Sequence, residues 1–169
     1  PDGMKTTIKV KQGIPWITPP LPGAEGKDFG EFSAEDAVWF LNHNNPTTNP
    51  ETTSGDAGDL AAVFGEARLI DRYTFEVDIV SPIFFGFPLS QFGVLGAAPS
   101  IRSKAVFDQM GADWARDWPV GTGPFVLKEW KAYDRVIIEA VPEHWYFKGK
   151  RIQEMVRLQV AEATAAIAM

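Results

Sequence analysis

Gly121-Thr122-Gly123-Pro124, followed by Phe125-Val126-Leu127-Lys128-Glu129-Trp130 and then Arg135-Val136-Ile137-Ile138-Glu139-Ala140, is the stretch whose reading decides the fold. Two glycines are expected to supply backbone torsions that other residues avoid, and Pro124 fixes the entry into an alternating strand. Lys131-Ala132-Tyr133-Asp134 reads as a turn between two apolar-rich strands, and Pro142 stops the second one. The result is a β-hairpin. A phosphate-cradling role for Gly121-Thr122-Gly123 is disfavoured: there is no Gly-Lys-Ser/Thr ending, no third glycine, and Pro124 removes one amide. The element therefore reads as a structural turn.

Outward from the hairpin, the chain alternates strands and short helices. Thr6 to Lys11 alternates as a strand does. Gly13 to Gly30 holds four prolines and several glycines, so it reads as an irregular surface excursion. Ser33 supplies an N-cap for a helix from Ala34 to about His43, with Glu35 and Asp36 as solvated acids against the helix dipole. Ala37, Val38, Phe40 and Leu41 form its apolar stripe. Asn44 to Gly58 is a loop broken by Pro46 and Pro50. Phe64 to Ile70 and Tyr73 to Val80 make a second hairpin turning at Asp71-Arg72, with Phe75, Val77 and Ile79 on one face. Ser81-Pro82 caps a short helix from Ile83 to about Phe92. Ser103 to Gly111 is a helix ended by glycine, Glu154 to Val160 is a last strand, and Glu162 to Met169 opens a helical pattern. The fold class is α/β: a mixed sheet of hairpins with short flanking helices.

Composition excludes several function classes. The 169 residues suit one domain, 1–169, and 45% hydrophobic residues with 12% aromatics supply a core. A formal charge of −6 with scattered Lys and Arg lacks the basic footprint of a nucleic-acid binder. No apolar run approaches ~20 residues. The chain has no Cys, hence no disulfide, thiolate metal site or Cys nucleophile. Its two histidines, His43 and His144, lack zinc-ligand spacing. No Gly-x-Ser-x-Gly elbow exists, so no catalytic residue, metal or cofactor is assigned. Of six tryptophans, Trp39, Trp130 and Trp145 are expected in core or core-edge packing. Trp16, Trp114 and Trp118 fall in or beside loops, where an exposed indole offers a platform for a peptide plane or sugar ring.

The wording of the hairpin resembles the GTGPY-x-L-x-x-W element of the family 5 extracellular solute-binding proteins, and further segments follow in that family's order. Asp2-Gly3 with Thr6-Thr7-Ile8-Lys9-Val10-Lys11 and Gln12-Gly13-Ile14 is similar to its first strand. Ser33-Ala34-Glu35-Asp36-Ala37-Val38-Trp39-Phe40-Leu41 resembles its T-A-E-D helix start. Ile70-Asp71-Arg72-Tyr73-Thr74-Phe75-Glu76-Val77 and Pro142-Glu143-His144-Trp145-Tyr146 resemble its V-D-D-Y-T and N-P-x-Y-W elements. Two departures stand out: Lys11 or its neighbour where the family often has Arg, and a loop stretched from Pro15 to Gly30 in place of a compact one.

The resemblance implies a type II periplasmic-binding-protein fold, here part of the first of two lobes, with the second lobe absent. It implies the substrate-binding component of an ABC importer, with a peptide or oligosaccharide as solute and a membrane permease as partner. The implied location is the periplasm or the outer face of a bacterial membrane. A sensor or regulatory module on the same fold is the other reading. Trp16, Ser90, Phe92 and Trp118 are the expected ligand-facing residues. Gly121, Thr122, Gly123, Pro124, Trp130 and Trp145 are the structural motif. Apolar residues near Ile167 and Met169 are expected to promote self-association.

Overall fold

The computed structural model describes residues 4–18, 20–80, 100–146 and 152–159. The expected helix holding Ser90 and Phe92, the pattern from Glu162 to Met169, and Asp2-Gly3 lie outside the described residues. In chain order the elements are β1 (Met4–Lys9), α1 (Ala34–Asn44), α2 (Ala57–Val63), β2 (Phe64–Asp71) and β3 (Thr74–Ile79). There follow α3 (Lys104–Met110), α4 (Ala112–Asp117), β4 (Phe125–Lys131), β5 (Arg135–Ala140) and β6 (Glu154–Leu158). The α/β class holds, but the single mixed sheet resolves into two antiparallel sheets of three strands, ordered β1-β3-β2 and β4-β5-β6. Helices α2 and α4 are additions to the sequence reading. Each is only six or seven residues long, too short for a periodic signal.

The first sheet is organised around β3. Its alternation sends Phe75, Val77 and Ile79 into the core, where the ring of Phe75 is 1% exposed. Ala34, Ala37 and Leu41 of α1 close over them together with Leu60, Val63 and Phe64. Burying a side chain of this size contributes about 2 kcal/mol. The opposite face is ionic. Arg68 grips Asp78 with two nitrogens at 2.9 and 2.8 Å, and Lys5 reaches Glu76 at 2.9 Å.

Two asparagines bind the loop and the sheet edge. The Asn42 amide donates to the carbonyl of Ala67 at 2.8 Å, and its oxygen accepts from the Ala67 amide at 2.9 Å. It satisfies the edge of β2 as a neighbouring strand would. Asn45, 1% exposed, donates to the carbonyl of Phe64 and accepts from the backbone and hydroxyl of Thr47.

The Gly13 to Gly30 segment is not a surface excursion. Trp16, Leu21, Ala24 and Phe29 are buried and join Val106 of α3 in a second apolar cluster. Proline and glycine set its turns, but five apolar side chains between them, Ile14 included, turn inward. Gly30 has φ +74, a left-handed torsion that costs a side-chain-bearing residue energy. There the chain bends back so that the Trp16 amide meets the Gly30 carbonyl at 3.0 Å.

Asp36 joins the two clusters. It is 5% exposed rather than solvated. One carboxylate oxygen accepts from the Ser33 amide at 3.0 Å, the Ser33 hydroxyl at 3.3 Å and the Trp16 indole at 3.4 Å. The other accepts from the Lys104 amide at 2.8 Å, at the start of α3. The helix-start reading of Asp36 is right as far as it goes; the carboxylate also serves a loop and a second helix. Asp36→Ala is expected to cost about 3 kcal/mol, because it strands buried donors that met a charged acceptor. Glu35→Ala, one residue away and exposed, should stay within about 0.5 kcal/mol. Equal urea midpoints for the two variants would refute the shared role.

Asp78 generates an acid-limb expectation. Its hydrogen bonds from Arg68, aided by the positive charges of Arg68 and Lys5 and opposed by partial burial, hold its carboxyl below the ordinary value of 3.8. A depressed folded-state value means that the stabilisation is fully present above the ordinary value. It is lost as pH falls through the depressed one. Denaturant titrations at neutral and strongly acidic pH should therefore show a smaller acid-induced loss for Asp78→Asn than for the parent chain.

Candidate functional site

Three stretches of chain meet at the Gly121-Thr122-Gly123-Pro124 element. The Ile17 amide donates to the Gly121 carbonyl at 2.8 Å in an isolated antiparallel bridge. The Thr122 carbonyl accepts from His144 Nε2 at 2.9 Å and from the Trp145 indole at 3.0 Å. The Tyr146 amide donates to His144 Nδ1 at 3.3 Å. A carbonyl on one side of the imidazole and an amide on the other place its hydrogen on Nε2. Pro124 completes the crossing by accepting from the Val141 amide at 2.9 Å. Lys11 lies 4.9 Å above the Trp145 ring, a cation over an aromatic face.

The expected unusual torsions are absent. Neither Gly121 nor Gly123 has a positive φ. A Cβ on Gly123 would meet nothing within 4 Å, and one on Gly121 only the Gly123 nitrogen at 3.9 Å. What the element contributes is its carbonyls, which bind the first loop and the 141–146 turn to one strand entry.

The tryptophans divide differently from the expectation. Trp16 is 6% exposed inside the second cluster, so it is not an exposed platform. Packing drew it in, since its indole finds Asp36 there. Trp114 donates to the Pro22 carbonyl at 2.8 Å, and both Trp114 and Trp118 pack half-buried against that cluster. Trp39 stacks on His43 at 5.1 Å and leans on Phe107 at 5.0 Å, at the core edge as expected. Trp145 is half-buried. Trp130 is 55% exposed, against the expectation of packing.

A groove of about 600 Å³ lies between the start of α1, the start of α3 and the tip of the β2-β3 hairpin. Glu31, Glu35, Arg72, Lys104 and Asp108 line it, above the buried Asp36. Its volume suits a small solute. Most of its charges are already paired: Glu31 with Arg72 at 3.3 Å and with the Tyr73 hydroxyl, and Lys104 with Asp108. The Glu31 hydrogen bond pushes the Tyr73 phenol above its ordinary value, and Asp108 does the same for Lys104. The groove has no sequence signature, because its residues come from three separate segments. Among the described residues no three His, Asp or Glu side chains converge as a metal site, and no helix is long and apolar enough to cross a membrane.

The crossing yields a paired expectation. Gly123→Ala should change stability by no more than about 0.5 kcal/mol, since space and torsion both admit a methyl group. Trp145→Phe keeps a ring but drops the hydrogen bond, and should cost about 1 kcal/mol. Thermal or urea unfolding of the two variants checks this, and a larger loss for Gly123→Ala would show that the glycine, not the carbonyl network, sets the turn.

Comparison with known proteins places this geometry. The chain is 25% identical over 95 residues to the periplasmic oligopeptide-binding protein OppA of Escherichia coli (strain K12), a match covering 56% of this chain and 17% of OppA. It superposes with a TM-score of 0.75 on the dipeptide-binding protein of Pseudoalteromonas sp. SM9913 in complex with Met-Leu, at 19% identity. The score is also 0.75 for DppA, the ABC transporter-associated periplasmic binding protein of Helicobacter pylori in complex with the peptide STSA, at 20% identity. Each superposition covers 99% of this chain and 33% of the other, so the chain spans about a third of their length. At such identities the structures attest the fold alone. All three are binding proteins. The model of the bacterial extracellular solute-binding proteins, family 5 Middle, matches residues 1–169, and the chain belongs to that family.

Proposed function

We propose that this chain is part of the substrate-binding component of an ABC importer, working outside the bacterial cytoplasmic membrane on peptides or related solutes and handing them to a membrane permease. The observation that carries this reading is the family match across residues 1–169, supported by superposition on binding proteins that hold short peptides. The chemistry is binding without covalent change. Such a receptor works by preferring its closed form when loaded, so that the partner reads closure rather than the solute itself.

In this reading the 169 residues supply one wall of the cleft. This reading sets the crossing at Thr122 near its border, and of the two expected ligand-facing tryptophans it leaves Trp118, half-buried, to meet the solute, since Trp16 is buried. A single wall leaves the solute half in water and omits the closure step. Loss of ~4 kcal/mol already weakens binding about a thousandfold. Isothermal titration with di- to pentapeptides is expected to give heat with a protein of the relatives' full length and almost none with the 169-residue chain. Micromolar binding by the 169-residue chain would remove closure as the source of affinity. Failure of every peptide on the longer protein, with binding of oligosaccharides, would replace the cargo.

A further inference from the structure

Two residues other than glycine have a left-handed torsion among those described, Glu143 with φ 50 and Tyr133 with φ 62. At Glu143 the torsion serves the crossing, because the next two residues, His144 and Trp145, reach the Thr122 carbonyl. Tyr133 lies at the tip of the β4-β5 hairpin. There the Asp134 amide donates to the Lys131 carbonyl at 3.1 Å and closes a turn with Tyr133 in its third position. A positive φ in that position calls for glycine or asparagine, and a ring-bearing residue is strained there.

Nothing inside the chain offsets that strain. Tyr133 is 88% exposed, more than any other large apolar side chain described, and among the described residues it has no side-chain hydrogen bond or ring contact. The turn beneath it is pinned. Lys131 pairs with Asp134 at 2.8 Å, Arg135 pairs with Glu129 at 2.9 Å, and the Gln159 amide donates to the Asp134 carbonyl at 2.7 Å. A strained torsion on a fixed turn holds the phenol outward, so little conformational freedom is lost when it meets a partner.

Tyrosine combines an apolar ring with a hydrogen-bonding tip and is among the residue types that anchor protein interfaces. The seven residues of β4 set the hairpin tip about 20 Å from the Gly121-Pro124 crossing, away from the border assigned to the cleft, so the ring does not serve the solute. One such ring buries roughly 200 Å², far below the ~1,200 Å² of a stable interface, which suits contact that is made and broken rather than a permanent dimer. We propose that Tyr133 is a docking anchor for the membrane permease, its ring entering an apolar pocket on the permease's outer face and its hydroxyl donating to an acceptor there. The proposal rests on the functional reading above, which supplies a partner that the loaded receptor engages and leaves in each transport cycle.

The test uses a receptor of the relatives' full length and its permease reconstituted in lipid nanodiscs, with docking read by surface plasmon resonance and peptide binding by isothermal titration. Tyr133→Gly and Tyr133→Asn are expected to weaken docking about tenfold, and Tyr133→Phe, which keeps the ring, by no more than about threefold. Peptide affinity should not change. Relief of the torsion should raise the Tm of Tyr133→Gly by about 1–2 °C, so the variant that docks worse is the more stable one. Docking unaffected by Tyr133→Gly overturns the proposal. So does a fall in Tm, which shows the phenol packed within the receptor itself, or a receptor dimer that Tyr133→Gly abolishes. An unaltered receptor that neither docks nor binds peptide sinks the functional reading and the docking site with it, whereas docking indifferent to Tyr133 sinks the docking site alone.

Discussion

The Asp36 carboxylate is the constraint on which the joining of the two apolar clusters depends. A buried ionised group is costly unless its lone pairs are filled, and four donors from three places in the sequence fill them. Ser33 brings the start of α1, Trp16 brings the long first loop, and Lys104 brings the start of α3. Each donor is itself a group that needs a partner: two are amides at helix starts, one is the Ser33 hydroxyl and one is a buried indole. The arrangement therefore satisfies the loop and both helices at once, and it fixes where the groove above Asp36 lies.

The same logic of borrowed hydrogen bonds recurs at the sheet edge and the crossing. Asn42 stands in for a strand beside Ala67, and Asn45 holds the turn after α1 against Phe64. At the crossing, one carbonyl, that of Thr122, receives both His144 and Trp145. These contacts bring distant segments together with few covalent constraints. They also explain why irregular segments here are ordered: their polar atoms are met by specific side chains rather than by water.

Regular elements were legible in the sequence because their signals are local. Ser33 before an apolar stripe marks α1, Gly111 with φ +85 closes α3 where expected, and Phe75, Val77 and Ile79 alternate into the core as a strand should. Glycine and proline were less reliable guides. Between Gly13 and Gly30 they point to exposure, yet the intervening Trp16, Leu21, Ala24 and Phe29 carry the packing. At Gly121 and Gly123 they point to unusual torsions, yet neither glycine has a positive φ. The groove was invisible because proximity of Glu31, Arg72 and Lys104 is a property of three-dimensional packing and has no period.

The two sheets differ in what completes them, and that difference bears on how such a receptor is built. The first sheet owns its cover: α1 and α2 lie on it, Asn42 blocks one edge, and its ionic face is neutralised by Arg68 and Lys5. The second carries its ion pairs on one side, Lys128 with Glu139 and Glu154 and Arg135 with Glu129, and no residue of its strands enters either apolar cluster. Ile17 in the first loop and Lys11 just after β1 reach Gly121 and Trp145 beside the second sheet, so the crossing ties the two sheets to one another.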